Sequence, residues 1–275
     1  MFVWQKLAPA QWLSENERTV RASAGTRLAL IERAGRSLVT LEVVCPNKRE
    51  ALELKEAFGG QIETLRNDWL VAYTRAEHRP PLRIGKRLIV TAQAIPGSST
   101  TPHLIIPTGA AFGTGEHVTT ALSLRLLEQI SRPLGRDWNL ADLGTGSGIL
   151  ALGARLFGAN RVIGVDNDPL AISTAKENAR RNGLAGVKFE VGDVLEWRPP
   201  WQVSIVTANL FSELLIQVLP GLKRYLAAPG WLIASGILRL QERSVIRALR
   251  QNGMGAVDVR RRGKWIALTA GVSSR

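Results

Sequence analysis

From residue 139 to the end of the chain, short apolar runs alternate with longer amphipathic stretches. The runs have the length and composition of strands, and the stretches between them carry helical periodicity. We predict strands at 139–143, 161–166, 187–191, 203–209 and 231–237, and helices at 149–158, 168–183, 212–227 and 241–253. Such alternation predicts a doubly wound α/β fold, a parallel sheet covered by helices on both faces. Two further strands, 255–261 and 264–270, join tightly at Arg262-Gly263, so the last strand is expected to run antiparallel.

The front of the chain has a different pattern. Residues 1–66 contain two β-like runs and a helical stretch with Ala51, Leu54 and Phe58 on one face before Gly59-Gly60. This predicts a small α+β module. A connecting helix is expected up to Pro80-Pro81, because a proline disfavours helix in the preceding residue. The predicted division is a small α+β domain at 1–66, a linker at 67–81 and the α/β domain at 82–275.

The charge balance is strongly basic, with 36 Lys and Arg against 23 Asp and Glu and a formal charge of +13. Such an excess favours an anionic partner, and we expect a weak contact with rRNA through the basic surface. A generally basic proteome explains the same excess equally well. The basic run "VRRRGK" at 259–264 is more typical of a solvated turn.

Redox and metal chemistry find little support in the residue types present. Cys45 is the single cysteine, and His78, His103 and His117 are scattered, so neither a disulfide nor a zinc site is expected. The first twenty residues do not resemble a signal peptide, and no apolar run reaches the roughly 18 residues that a membrane span requires. We expect a cytoplasmic monomer without a membrane partner.

The loop Gly144-Thr145-Gly146-Ser147-Gly148 follows a predicted strand and precedes a predicted helix. Glycines here permit a tight turn and let the backbone approach a ligand closely, so Gly144, Thr145 and Gly146 are candidate cofactor contacts. The dinucleotide fingerprint needs a third glycine at position 149, which is isoleucine. The spacing therefore favours an adenosine ligand without a pyrophosphate. A purely structural turn is the alternative.

Two aspartates follow neighbouring strands. Asp166 ends the second strand, where a carboxylate can accept hydrogen bonds from both ribose hydroxyls. Helix capping is the alternative role, but it fits Asp168 better because Pro169 follows directly. Asp193, after the third strand, is a candidate contact of the adenine amino group and equally a turn former. Together with the glycine loop, these residues favour S-adenosylmethionine over NAD.

The fourth strand ends in "TANLF", which places Asn209 at the carboxyl edge of the sheet. Methyl transfer to an amine needs a neutral amine aimed at the methyl carbon, and an amide oxygen can orient that amine. Phe211 can cover the reacting group, exclude water and interact with the passing cation. The alternative for Asn209 is the cap of the following helix.

A stretch rich in small polar residues, 109–128, leads into an amphipathic helix. Loops of this kind often close over ligands, which makes His117, Thr119 and Thr120 candidates. His117 is a candidate for receiving a proton or binding the substrate, although a surface histidine is more common. The alternative for either threonine is a simple helix cap.

Five segments occur together in one order along the chain. They are "AFGTGEHVTT", "LADLGTGSGILAL", "GVDNDPLAISTAKENARRNG", "TANLF" and "SGIL". In order and spacing they resemble the ribosomal protein L11 methyltransferase family over residues 108–275, and a combination of five motifs is far more specific than one glycine loop. The similarity of residues 1–66 is looser.

The resemblance implies a Rossmann-like class I methyltransferase domain with a seven-stranded sheet, linked to a small α/β domain that grips the substrate. It implies transfer of methyl groups from S-adenosylmethionine to lysine and N-terminal amines of a large-subunit ribosomal protein. By motif position it assigns Thr120, Gly144, Asp166 and Asn209 to the cofactor. Asn209 stands where related amine methyltransferases have Asn-Pro-Pro-aromatic, but here Asn-Leu-Phe occurs.

Three function classes remain open at this point. The first is a protein-lysine methyltransferase acting on a ribosomal protein. The second is a methyltransferase of another protein lysine or of an RNA base. The third is a non-catalytic nucleotide-binding or ribosome-interaction module, which would not need Gly144, Asp166 and Asn209 together.

Overall fold

The computed structural model describes residues 2–24, 28–32, 38–45, 47–64, 81–94, 100–107 and 117–272. The chain divides into two compact units, residues 1–76 and 77–275, here called the small and the large unit. The predicted linker 67–81 lies outside the described residues except for Pro81. No helix in the described ranges has both the length and the apolar character needed to cross a membrane.

The small unit is an antiparallel sheet with two helices. Its elements are β1 (Phe2–Pro9), α1 (Ala10–Ala24), β2 (Leu28–Glu32), β3 (Leu38–Cys45), α2 (Lys48–Phe58) and β4 (Gln61–Thr64). The strand order β2-β3-β1-β4, with every neighbouring pair antiparallel, is the βαββαβ arrangement of ferredoxin-like folds. The two predicted β-like runs form β2 and β3, and the predicted helix forms α2. The elements β1, α1 and β4 were not predicted.

One face of this sheet forms the core of the small unit. Trp4 and Leu41 are fully buried, and they pack with Val20 of α1 and Leu54 of α2. Side chains alternate across a strand, so Leu7 points to the opposite face, where it is 59% exposed.

The large unit begins with a small three-stranded sheet and continues as an α/β domain. The small sheet consists of β5 (Leu82–Ile84), β6 (Leu88–Thr91) and β7 (His103–Ile105). The helices are α3 (Val118–Ser131), α4 (Ile149–Leu156), α5 (Pro169–Arg181), α6 (Ser212–Leu222) and α7 (Glu242–Gln251). The large sheet consists of β8 (Asn139–Leu143), β9 (Arg161–Asp166), β10 (Val187–Val191), β11 (Val203–Asn209), β12 (Leu226–Leu238), β13 (Gly255–Arg262) and β14 (Trp265–Val272).

The large sheet has the order β10-β9-β8-β11-β12-β14-β13. The pairs from β10 to β12 are parallel, and β14 runs antiparallel to both of its neighbours, which confirms the prediction for the last strand. Two separate apolar clusters include buried residues of α3, α4 and α5 in one case and of α6 and α7 in the other. The doubly wound seven-stranded fold is therefore confirmed. The chain moves outward from β8 to β10 and then returns to β11, so the switch point where such folds bind ligands lies between β8 and β11.

The largest errors in the predicted boundaries lie between α6 and β12. The helix expected at 212–227 ends at Leu222, and β12 begins at Leu226 rather than at Trp231. The reason is pairing with a neighbouring strand, because Leu226 lies opposite Val203 of β11. Helical periodicity in the sequence does not register such a long-range pair.

Candidate functional site

A cavity of about 750 Å³ lies at the carboxyl ends of the central strands of the large sheet. Its described lining includes eight of the predicted site residues, namely His117, Thr119, Gly144, Gly146, Asp166, Asp193, Asn209 and Phe211. Thr120 and Thr145 are not among the lining residues. The structure thus brings together residues that are up to 94 positions apart in the chain, and the roles of all ten stay predictions.

The glycine loop turns directly from β8 into α4. The amide groups of Gly144 and Thr145 both donate to Val165 O at 2.9 Å, which holds the loop against the end of β9. Gly144 has a φ of +68°, and a Cβ added there would lie 2.5 Å from Leu210 Cδ2. The loop is therefore a tight structural turn, and two of its glycines also line the cavity.

Asp166 is fixed by backbone amides at the end of β9. Its Oδ2 accepts from Gly146 N at 2.9 Å and its Oδ1 accepts from Asp168 N at 3.1 Å. The capping role belongs to Asp168, whose Oδ1 accepts from Leu170 N at 2.8 Å. A carboxylate offers about four acceptor positions. Asp166 therefore keeps acceptor capacity for a ligand in the cavity.

Sequence reasoning missed Asp142, which lies behind the glycine loop. It is 1% exposed, and its two oxygens accept from the hydroxyls of Thr145 and Thr207, each at 2.7 Å. Burial raises the pKa of Asp142 from 3.8 to about 6; the two threonine hydrogen bonds oppose this rise and the charge of Asp166 adds to it. The one signal in the sequence was an acid inside the apolar run "NLADL". Thr145 is thus engaged with a buried acid.

Asp193 has the turn-forming role that was one of its two expected roles, and its contact with an adenine amino group stays a prediction. Its Oδ1 accepts from Leu195 N at 2.9 Å, which is an Asx turn, and the residue also lines the cavity.

Asn209 ends β11 without capping the next helix. The cap position of α6 is Phe211, which has no side-chain capping bond and is 75% exposed. The Asn209 Oδ1 atom is buried and has no hydrogen-bond partner among the described residues. Buried acceptors are normally paired, so this oxygen is free to accept a hydrogen bond from a donor that enters the cavity.

The segment after Asn209 is held between two glycines. Gly236 lies at an irregularity in the pairing of β12 with β14, with a φ of +82°. A Cβ there would lie 2.5 Å from Leu210 O and 3.2 Å from Asn209 Oδ1. On the other side, the Leu210 side chain occupies the space next to Gly144. Both glycines are needed for the chain to pass between them, and sequence reasoning had not identified Gly236 individually.

His117 caps helix α3, so neither threonine does. Its Nδ1 accepts from Thr119 N at 3.4 Å and lies 2.7 Å from Thr119 Oγ1. Its ring meets Trp265 edge to face, with centroids 4.9 Å apart. Burial first and then the charge of Lys264 lower the pKa of His117, which favours the neutral ring. The capping contact competes with a proton-accepting role, which stays a prediction.

Thr120 is fully buried in the first turn of α3, and its Oγ1 has no partner in the described part of the chain. Trp265 lines the cavity on the same side as His117. No local sequence pattern singles out this tryptophan, because its position at the cavity depends on the pairing of β14.

Comparisons with known proteins agree with one another. Residues 39–272 match the family model described as "Ribosomal protein L11 methyltransferase (PrmA)". A ribosomal protein L11 methyltransferase from Pelotomaculum thermopropionicum is 39% identical over 74% of this chain and 65% of its own length. Its counterpart from Geobacter metallireducens is 38% identical over 75% of this chain and 67% of its own length. The matched part thus spans about two thirds of these relatives.

A solved structure shows the same likeness. The ribosomal protein L11 methylase from Lactobacillus delbrueckii subsp. bulgaricus superposes with a TM-score of 0.63 and 28% identity. The superposition covers 70% of this chain and 99% of that one.

Proposed function

This chain belongs to the ribosomal protein L11 methyltransferase family, and from that premise we propose that it binds S-adenosylmethionine and methylates amines of ribosomal protein L11. The acceptor groups are lysine side chains and the N-terminal amine. We place this activity in the cytoplasm and assign it to a monomer.

The observation that carries the proposal is the Asn209 Oδ1 atom beside the cavity, which has no hydrogen-bond partner among the described residues. An incoming amine is a hydrogen-bond donor, and this oxygen accepts from it. The bond aligns the nitrogen lone pair for an in-line displacement, in which alignment supplies much of the rate. The exposed ring of Phe211 lies at the same wall, where it excludes water and interacts with the developing cation.

The cavity residues also fit the cofactor. Its volume of about 750 Å³ lies within the usual range of small-molecule sites, about 300–1,000 Å³. Asp166, held by two backbone amides, has oxygens left to accept from both ribose hydroxyls. Gly146 and Asp193 also line the cavity, and we assign Asp193 to the adenine amino group. S-adenosylmethionine, when bound, supplies a methyl group on a positively charged sulfur.

The small unit is proposed to select the acceptor. On the side of its sheet away from the core, an open concavity of about 550 Å³ is lined by residues that include Leu7, Leu38, Thr40 and Gln61. Leu7 and Leu38 are exposed there, at 59% and 37%. Exposed apolar side chains in a concave surface are typical of interaction sites.

Methylation of another protein lysine or of an RNA base is the competing function. The test incubates the full chain with methyl-labelled S-adenosylmethionine, purified ribosomal proteins and rRNA. We expect label in ribosomal protein L11 and none in RNA. Label in rRNA, or in a different protein only, contradicts the proposed substrate.

The role of Asn209 is tested with Asn209→Ala and with Asn160→Ala as the control, since Asn160 is an exposed asparagine outside the cavity lining. We expect Asn209→Ala to lower turnover about 100-fold, the usual effect of removing one positioning group. Calorimetry should show a much smaller change in the affinity for S-adenosylmethionine. Equal turnover in both variants contradicts the assignment.

A further inference from the structure

Four basic residues lie on one face of the large unit, on helix α3 and the hairpin of β13 and β14. We call them the hairpin patch: Arg125, Arg260, Arg262 and Lys264. Arg260 and Arg262 are two positions apart on β13, so they project to the same face about 7 Å apart. The Arg260 guanidinium contacts Gln129 of α3, which places this face of the hairpin against that helix. The intervening Arg261 projects to the other face, where it pairs with Glu242 at the start of α7.

The cations of the hairpin patch crowd one another. Burial first, and then the charges of Arg262 and Arg260, lower the pKa of Arg125. Among the described residues, the one acid in an ion pair with the hairpin patch is Asp258, which lies 3.1 Å from Arg260. Like charges held together are unfavourable in the free protein. A bound anion relieves that repulsion.

The hairpin patch adjoins the cavity. The Lys264 ammonium lies 5.3 Å from the centroid of the Trp265 ring, and Trp265 is opposite Arg262 in the strand pairing. Trp265 contacts His117, and both line the cavity. A ligand that lies along the patch therefore passes the cavity and meets a half-buried aromatic ring.

We propose that the hairpin patch binds the phosphate backbone of single-stranded RNA and stacks a base on Trp265. Guanidinium groups match phosphate oxygens in two-point hydrogen bonds. Two of them in a row, about 7 Å apart, suit successive phosphates of an extended strand. Cationic grooves with aromatic platforms are the usual way of binding single strands. The net charge of +13 attracts such a polyanion from a distance. An acidic protein segment would use the charges but not the ring.

The experiment measures binding of a fluorescein-labelled, short single-stranded RNA to the full chain by anisotropy over a range of salt concentrations. The test variant is Arg260→Gln with Arg262→Gln. The matched control is Arg247→Gln with Arg250→Gln, two exposed arginines of α7, which packs in the other apolar cluster. The measurement needs neither cofactor nor acceptor, so its outcome is separate from that of the proposed methyl transfer.

We expect the test variant to bind about 25-fold more weakly at about 0.1 M salt, with a salt slope lower by about 1.4, because each phosphate contact to a single strand contributes a slope of about 0.7. The control should keep the wild-type slope. Arg262→Gln alone, at an exposed position, should lower the RNA affinity about fivefold. This single variant serves as a control in case the double variant misfolds. The proposal is overturned if the test and control variants lose the same amount of RNA affinity. It is also overturned if a polyglutamate peptide binds the wild-type protein as tightly as RNA does and loses affinity in the same way in the test variant.

Discussion

The buried carboxyl group of Asp142 makes the stability of this protein depend on pH. It lies between the hydroxyls of Thr145 and Thr207, and burial raises its pKa from 3.8 to about 6. An acid with a raised pKa in the folded state keeps its proton while the unfolded chain has already lost it. The protonated Asp142 therefore stabilises the folded state fully below about pH 4, and this stabilisation is lost as the pH rises from about 4 to about 6.

The size of the effect follows from the two pKa values of Asp142. Each pKa unit corresponds to about 1.4 kcal/mol, so ionisation costs the folded state about 3 kcal/mol more than the unfolded chain. Between about pH 4.5 and pH 8, about 2 kcal/mol of that difference is lost by linkage. The variant Asp142→Asn keeps the shape and can still bond with both threonines, but it cannot ionise.

The assay is urea unfolding of wild type and Asp142→Asn at about pH 4.5 and pH 8. We expect the free energy of unfolding of the variant, relative to wild type, to rise by about 2 kcal/mol between the two pH values. Groups that titrate in both proteins cancel in this comparison. A difference between variant and wild type that is independent of pH refutes the claim that Asp142 is protonated near pH 5 in the folded state.

Three further predictions test the cavity and the small unit. Asp166→Ala should weaken binding of S-adenosylmethionine by about 1–3 kcal/mol, the cost of a lost charge-assisted hydrogen bond, and unchanged affinity in calorimetry contradicts the ribose contact. Gly236→Ala should lower the free energy of unfolding in urea by about 1–3 kcal/mol and reduce turnover, because the added carbon would lie 2.5 Å from a carbonyl oxygen. The control is Gly263→Ala, since Gly263 also has a positive φ, +58°, but has open space around it. The difference between the two variants separates backbone strain from the close approach. Leu7→Arg should raise the KM for the acceptor protein with little change in cofactor affinity. The control Leu52→Arg, on helix α2 of the same unit, should leave both constants unchanged. Equal effects in the two variants argue against recognition by the open face of the sheet.

Much of the large unit was readable from local patterns. The start of α5 is one example, because Asp168 followed by Pro169 predicts the cap that the structure shows. The strands of the large sheet from β8 to β11 have the bounds that their apolar runs predicted. The small unit was less readable, since the strand Phe2–Pro9 mixes buried and exposed side chains around Gln5 and Lys6.

The residues around the cavity needed the fold. Asp142 and Thr207 are 65 positions apart, and no local pattern says that their side chains meet. The same holds for Leu210, which lies between Gly144 and Gly236. Trp265 came to the cavity wall through the pairing of the last strand.

By itself, the sequence determined the alternation of strands and helices, the start of α5 and the glycine turn, because each depends on residues within a few positions of one another. Tertiary structure alone decided that Asp142 is buried, that the side-chain oxygen of Asn209 lacks a partner among the described residues, and that the cations of the hairpin patch lie close together. Burial and charge proximity are set by register between distant strands, and they exist only once those strands have paired.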